Sequence, residues 1–131
     1  MRLVAPLAVV VLIAGCGGEP RAPSAETQIR AAYATFAKAL RDGDGAAMCR
    51  VSTQEIRNAF IVAAAQLGKP SPSCVTAFES ISDEIPPGEF VLTDVTVSGA
   101  TATGRNPKAV DADDRVVEFS RVGGEWYVGA G

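Results

Sequence analysis

The fold class is decided by residues 86–99, PPGEFVLTDVTVSG, because the spacing of apolar residues changes there. Before the two prolines, apolar residues recur about every 3.6 positions, which is typical of amphipathic helices. After them, apolar and polar residues alternate and β-branched residues become frequent, which is typical of strands with one buried face. The sequence therefore predicts helices first and strands second, in an α+β domain.

Four strands are predicted in the second half of the chain, with a longer polar connection over residues 105–114. The strands cover residues 90–98, 100–104, 115–122 and 125–128, with turns at Ser98-Gly99 and Gly123-Gly124. Consecutive strands with short connections usually pair with each other. We therefore expect a four-stranded antiparallel meander with the N-terminal helices packed on it in two layers.

The first predicted helix begins after Ser24, a suitable N-cap, and runs to about Arg41. Its apolar face repeats at helical spacing through Ile29, Tyr33, Phe36 and Leu40. Asp42-Gly43-Asp44-Gly45 ends this helix, and Asp44 is a suitable cap for a short second one.

Two further helices are predicted before the strands. Ser52-Thr53-Gln54-Glu55 has the capping-box pattern that opens a helix, and Gly68 is suited to end it. Ser71 followed by Pro72 has the pattern of an N-cap and a first helical residue, and predicts a fourth helix that ends before Pro86.

The N-terminal residues have the pattern of an export signal. Arg2 supplies a positive charge, and residues 3–13 form an apolar run that is shorter than the about 20 residues needed to span a bilayer. The run ends in Leu12-Ile13-Ala14-Gly15-Cys16, which resembles the bacterial lipobox: an aliphatic residue, two small residues and a cysteine. We expect residues 1–15 to be a cleaved signal peptide and Cys16 to carry a diacylglycerol. Otherwise the segment is an ordinary signal peptide or a buried helix in which Cys16 is incidental.

This pattern predicts where the protein resides. Residues 16–25 are mostly small, polar and proline-bearing, which indicates a lipidated flexible tether. Residues 26–131 then form a single α+β domain. The lipid on Cys16, with acyl chains such as palmitate, makes the membrane a partner, and the domain faces outward from a bacterial cell membrane.

The two other cysteines, Cys49 and Cys74, predict one disulfide in an exported domain. A bridge that closes a loop of this length stabilises the fold by about 3 to 3.5 kcal/mol in the chain-entropy model. The alternative is two buried thiols or a redox pair. The chain has no Cys-x-x-Cys spacing, which favours the structural bridge.

Composition excludes several classes of function. The net charge is −3, so the chain offers no basic surface for nucleic acid. The absence of histidine removes the commonest general base near neutral pH and the commonest transition-metal ligand. We expect neither histidine-dependent hydrolysis, nor a zinc site, nor a cofactor.

Two acidic segments are the remaining candidates for a metal. Asp42-Gly43-Asp44-Gly45 matches only the start of a calcium loop, and we interpret it as a helix-ending turn. Asp111, Asp113 and Asp114 could meet a cation, but such a run between strands is usually a solvated turn. The sequence therefore predicts no metal site.

A family resemblance covers about three quarters of the mature chain. The resemblance is to the cone-shaped superfamily of nuclear transport factor two and the ketosteroid isomerases, and it lies in residues 33–44 (YATFAKALRDGD), 95–102 (VTVSGATA), 116–119 (VVEF) and 124–128 (GEWYV). The resemblance implies a curved sheet that wraps the first helix and leaves a pocket at its open end. It does not imply isomerase chemistry, because Phe36 aligns with the oxyanion-binding tyrosine and no aspartate matches the catalytic base.

The candidate pocket-lining residues are Tyr33, Phe36, Asp94 and Trp126. Tyr33, Asp94 and Tyr127 could converge as acid, base and hydrogen-bond donor, but an aspartate within a strand more often lies on the wet face or at a bulge. Trp126 is either a core residue or a pocket wall. We expect a non-enzymatic domain that binds a small apolar ligand or an envelope protein. The alternatives are a histidine-free enzyme acting on an apolar substrate and a structural accessory domain of an envelope complex.

Overall fold

The computed structural model describes residues 23–131 and places four helices before a four-stranded antiparallel sheet. Two short 3₁₀ helices, Ser82–Glu84 and Ala112–Arg115, lie in the connections. The predicted α+β class is confirmed. The main elements in chain order are α1 (Ala25–Asp42), α2 (Gly45–Val51), α3 (Gln54–Gln66), α4 (Cys74–Ile81), β1 (Thr93–Ser98), β2 (Thr101–Arg105), β3 (Val116–Val122) and β4 (Glu125–Val128).

The sheet is open, and its spatial order is β1-β2-β3-β4, so each strand pairs with the next along the chain. The first strand is shorter than the predicted 90–98. Its register shifts between Thr93 and Thr96, and Asp94 has a φ of 53°, the geometry of a bulge. Before the bulge, the Val91 N–H donates to the Asn106 side chain instead of to a neighbouring strand.

Helix α1 lies between the sheet and the other helices. On the sheet side, Ile29 and Tyr33 pack in one cluster with Phe119 and Trp126. On the other side, α1 contributes Ala39 to a cluster with Met48 and Phe78, and Phe36 contacts both clusters. Helix α4 packs on both α3 and α2. Full burial of such side chains stabilises the fold by about 1.5 to 3 kcal/mol each.

The caps agree with the predictions in part. Ser24 and Asp44 accept hydrogen bonds from the N–H groups of Thr27 and Ala47, as N-caps do. After α3, Gly68 has a φ of 73°, which the predicted helix end requires.

Two predicted helix starts are displaced. Thr53 caps α3, because the Ser52 hydroxyl instead donates to the Met48 carbonyl at the end of α2. Ser73 caps α4, whereas Ser71 donates to the Lys69 carbonyl in the preceding turn. The serine or threonine whose hydroxyl is free to face the first helical N–H groups becomes the cap.

The predicted disulfide joins Cys49 of α2 to Cys74 of α4, with the two Cα atoms 6.1 Å apart. The prediction is confirmed. The bridge connects α2 and α4, which pack against each other although α3 lies between them in the sequence.

The chain end is fixed beside the start of α3. The Thr53 N–H donates to the Val128 carbonyl at 2.9 Å, and the Gly129 N–H donates to the Glu118 carbonyl at 2.7 Å. Gly129 has a φ of 118°, and a Cβ there would overlap Thr53 and Ile56. Only glycine therefore lets the chain pass between β3 and α3.

The predictions for residues 1–15 and for Cys16 lie outside the described residues. Among residues 23–131, no helix is both long enough and apolar enough to cross a bilayer.

Candidate functional site

A cavity of about 1160 Å³ opens at the end of the sheet where β2 ends and β3 begins. Its walls come from α1, the start of α3, residues 85–90, residues 106–114, the start of β3 and the chain end after β4. Small-molecule sites in proteins are typically concave and have volumes of about 300 to 1,000 Å³. The cavity is therefore large enough for a small ligand.

The inner wall of the cavity is aromatic and aliphatic. Phe90 lies edge-on to Tyr33 and to Phe36, with ring centroids 5.9 Å and 6.3 Å apart. Aliphatic side chains complete this wall: Leu40, Ile56, Ile85, Val117 and Val128. Such a surface gains free energy by covering an apolar molecule.

Two polar side chains line this apolar wall and are nearly buried. Tyr33 is 6% exposed and Asn106 is 5% exposed. Burial raises the pKa of Tyr33 above its ordinary value of 10.0, and the nearby Asn106 side chain partly opposes this shift. The Tyr33 hydroxyl is therefore protonated at neutral pH and can donate a hydrogen bond.

Asn106 holds together the two segments that form the mouth of the cavity. Its Nδ2 donates to the Glu89 carbonyl at 3.0 Å, and its Oδ1 accepts from the N–H groups of Val91 and Lys108. Its backbone N–H donates to the Arg115 carbonyl at 2.8 Å. Our sequence interpretation missed this residue. The Asn106-Pro107 pair signals a turn, but nothing local indicates its partners.

Acidic residues surround the mouth of the cavity. Six carboxylate residues line it and all are exposed, whereas Lys108 is the one basic residue among the lining residues. The six, which we call the acidic rim, are Glu55, Glu89, Asp111, Asp113, Asp114 and Glu118. The aspartates predicted to form a solvated turn are thus exposed and also border the cavity.

The structure brings together only part of the predicted site. Tyr33 and Phe36 line the cavity. Asp94 is exposed at the β1 bulge and does not line it, which corrects its assignment to the pocket. Trp126 is buried in the core between α1 and the sheet and does not line the cavity either. Tyr127 lies apart from Tyr33, with its hydroxyl beside the Glu125 carboxylate at 3.3 Å.

The carboxylates of the partial calcium motif are engaged elsewhere. Asp44 caps α2 through a 3.1 Å bond from the Ala47 N–H. Asp42 pairs with Lys38 one helical turn away, and this hydrogen bond lowers the pKa of Asp42 below its usual range. Within residues 23–131 there is no group of three or more cysteine, aspartate or glutamate side chains placed to hold a metal ion.

Comparisons of the chain with protein-family models, with curated proteins and with solved structures found no match. The cavity therefore has to be interpreted from its own residues.

Proposed function

We propose that residues 26–131 form a non-enzymatic binding domain that holds a small apolar molecule in the cavity. The observation that carries this proposal is the composition of the wall, where edge-packed aromatic rings adjoin the buried side chains of Tyr33 and Asn106. An apolar pocket with a few convergent polar groups is typical of small-molecule sites. The aromatic wall would supply affinity, and Tyr33 would orient a ligand that carries a hydrogen-bond acceptor.

We also propose that the sheet is curved in the manner of the cone-shaped superfamily. Helix α1 contacts both β1 and β4, which are the two edges of the sheet. A sheet that bends around a helix allows one helix to reach both edges, and this supports the proposal.

Binding is favoured over catalysis on an apolar substrate by the position of the candidate base. Asp94, the carboxylate that the sequence offered as a base beside Tyr33, lies at an exposed bulge and does not line the cavity. The role of a structural accessory domain is disfavoured by the cavity itself, because that role predicts a flat apolar patch in its place.

The domain is proposed to be tethered by lipid on Cys16 to the outward face of a bacterial cell membrane. The support comes from the lipobox pattern of residues 12–16 and from the Cys49–Cys74 disulfide, because structural disulfides are typical of proteins outside the reducing cytoplasm.

Ligand binding is tested by titrating the domain with N-phenyl-1-naphthylamine, an uncharged probe that becomes fluorescent in apolar sites. We expect saturable binding that is weakened about tenfold or more in Gly88→Trp. A side chain at Gly88 has open space beside Phe90, so the indole can enter the cavity. Val62→Trp, on the exposed side of α3, is the control and should bind as the parent does. Absence of saturable binding, or equal binding by the Gly88→Trp variant, would contradict the proposal.

Membrane attachment is tested by fractionating bacterial cells that produce the full chain. Cys16→Ser removes the only thiol that the lipobox places for lipid transfer, so we expect the protein to leave the membrane fraction. A mutant that remains in the membrane without acylation would overturn the lipid-anchor hypothesis.

A further inference from the structure

The mouth of the cavity is strongly charged, whereas its inner wall is uncharged. The inner wall is apolar, yet the mouth carries the six carboxylates of the acidic rim and the single ammonium of Lys108. A neutral or anionic apolar ligand gains nothing from this rim, and an anion has to cross a negative potential to enter. A cation is attracted by the same potential, which low-dielectric walls focus at the mouth.

The wall also contains a hydrogen-bond donor that the protein leaves free. The neighbouring Asn106 side chain is bonded to backbone groups: its Oδ1 accepts from the Val91 and Lys108 N–H groups, and its Nδ2 donates to the Glu89 carbonyl. Tyr33 is 94% buried at the cavity wall, and its hydroxyl donates to no acceptor among the described residues. The Tyr33 hydroxyl can therefore donate to a ligand that brings an acceptor.

We propose that the ligand is a cationic amphiphile: a small molecule with an apolar body, a hydrogen-bond acceptor within that body, and an ammonium or guanidinium group at one end. The apolar body lies against Phe36 and Phe90, the acceptor meets the Tyr33 hydroxyl, and the cation remains at the mouth near Asp113 and Asp114. This inference rests on the proposed function and adds the charge of the ligand to it.

The orientation follows from solvation. The rim carboxylates are exposed, so a cation beside them keeps part of its hydration and loses little free energy on binding. The reverse orientation would place the charge against the aromatic wall and leave the apolar body in water. The apolar end of the ligand therefore lies against the apolar wall, and its charged end lies at the acidic mouth.

The test uses decyltrimethylammonium, decanol and decanoate, which share one apolar chain and differ in charge, below the concentrations at which they form micelles. Each competes with N-phenyl-1-naphthylamine for the domain at low salt. We expect the cation to bind about tenfold more tightly than the anion, with the alcohol between them. This preference should shrink as salt is raised, because the screening length falls from about 10 Å at 0.1 M to about 3 Å at 1 M.

The rim is tested with Asp113→Asn combined with Asp114→Asn. Neutralising two exposed charges should weaken binding of the cation about three- to tenfold and leave binding of decanol unchanged. Asp94→Asn removes an exposed carboxylate that does not line the cavity and is the matched control. It should change the binding of neither the cation nor decanol.

The outcomes separate the two proposals. If decanol and the probe bind well but decanoate binds as tightly as the cation, the proposed charge preference is wrong and the proposed binding function stands. The same holds if the double variant binds the cation as the parent does. If none of the compounds displaces the probe, or the probe itself fails to bind, both proposals are wrong.

Discussion

The side-chain amide of Asn106 donates to the carbonyl oxygen of Glu89 at 3.0 Å and so joins the two segments on either side of the cavity mouth. The two residues are 17 positions apart, and the first two strands lie between them. Here the Asn106 side chain takes the place of the backbone hydrogen bonds that join neighbouring strands inside the sheet. It satisfies polar backbone groups that strand pairing leaves unpaired.

Replacing Asn106 by alanine should therefore lower stability. Asn106→Ala removes the side-chain partners of Glu89, Val91 and Lys108 at a site that is 5% exposed, and should reduce the free energy of unfolding by about 1 to 3 kcal/mol. Urea unfolding measures this change. Asn58→Ala is the control, because Asn58 makes its hydrogen bond on the exposed surface of α3, and should change stability by less than about 0.5 kcal/mol. Equal effects in the two variants would refute the role of Asn106.

Tyr33 should make stability fall at alkaline pH. Its folded-state pKa lies above the ordinary value of 10.0, so its contribution is fully present below about pH 10. Above about pH 10 the unfolded chain loses the Tyr33 hydroxyl proton at a lower pH than the folded chain does. The stability that Tyr33 contributes is therefore lost as the pH rises through its folded-state pKa. Tyr33→Phe should unfold with a weaker pH dependence above pH 10 than the parent.

The titration itself can be followed by the absorbance of tyrosinate, since the chain has two tyrosines. Tyr33→Phe should remove a component that ionises above pH 10. If the component that Tyr33→Phe removes ionises at or below pH 10 in the parent protein, the buried placement of Tyr33 is wrong.

Phe36 should tolerate a hydroxyl better than Phe78 does. Phe36 is half-buried and faces the cavity, so Phe36→Tyr should change the free energy of unfolding by less than about 1 kcal/mol. Phe78 is completely buried among helices, and Phe78→Tyr should cost about 1 to 3 kcal/mol because its hydroxyl lacks a partner. Alanine should cost about 2 to 3 kcal/mol at Phe36 and about 3 to 5 kcal/mol at Phe78. If tyrosine is as costly at Phe36 as at Phe78, the cavity is closed.

Removing the disulfide should destabilise the domain without changing the cavity. Cys49→Ala with Cys74→Ala opens a loop that spans 25 positions and should lower the free energy of unfolding by about 3.5 kcal/mol. Thermal unfolding with and without a reductant measures this effect in the parent. The double variant should be insensitive to the reductant. Two cysteines that react with a thiol reagent in the denatured, unreduced protein would show that the bridge is absent.

The positions of the helices and strands were largely readable from the sequence, because local patterns determine them. The change of period after Pro87 located the boundary between helices and sheet, and Ser24 and Asp44 cap the helices as predicted. The errors fall where local patterns compete. Ser71 and Ser73 both suit an N-cap, and only the direction of the following turn selects Ser73.

The site was less readable, because its parts meet only in the folded chain. Tyr33 and Phe36 follow from the apolar face of α1, whereas Asn106 gives no local signal beyond a turn. Asp94 lies at an exposed bulge, one of the two positions that the sequence favoured for it, and not at the cavity wall.

What the sequence determined by itself is the order of helices and strands and the apolar face of α1, since both depend on spacing along the chain. It favoured a bridge between Cys49 and Cys74, which the structure contains. The tertiary structure alone decided that residues 85–90, residues 106–114 and the chain end enclose a cavity with an acidic rim. These segments meet through hydrogen bonds and packing between residues distant in the chain, and such contacts leave no periodic trace in the sequence.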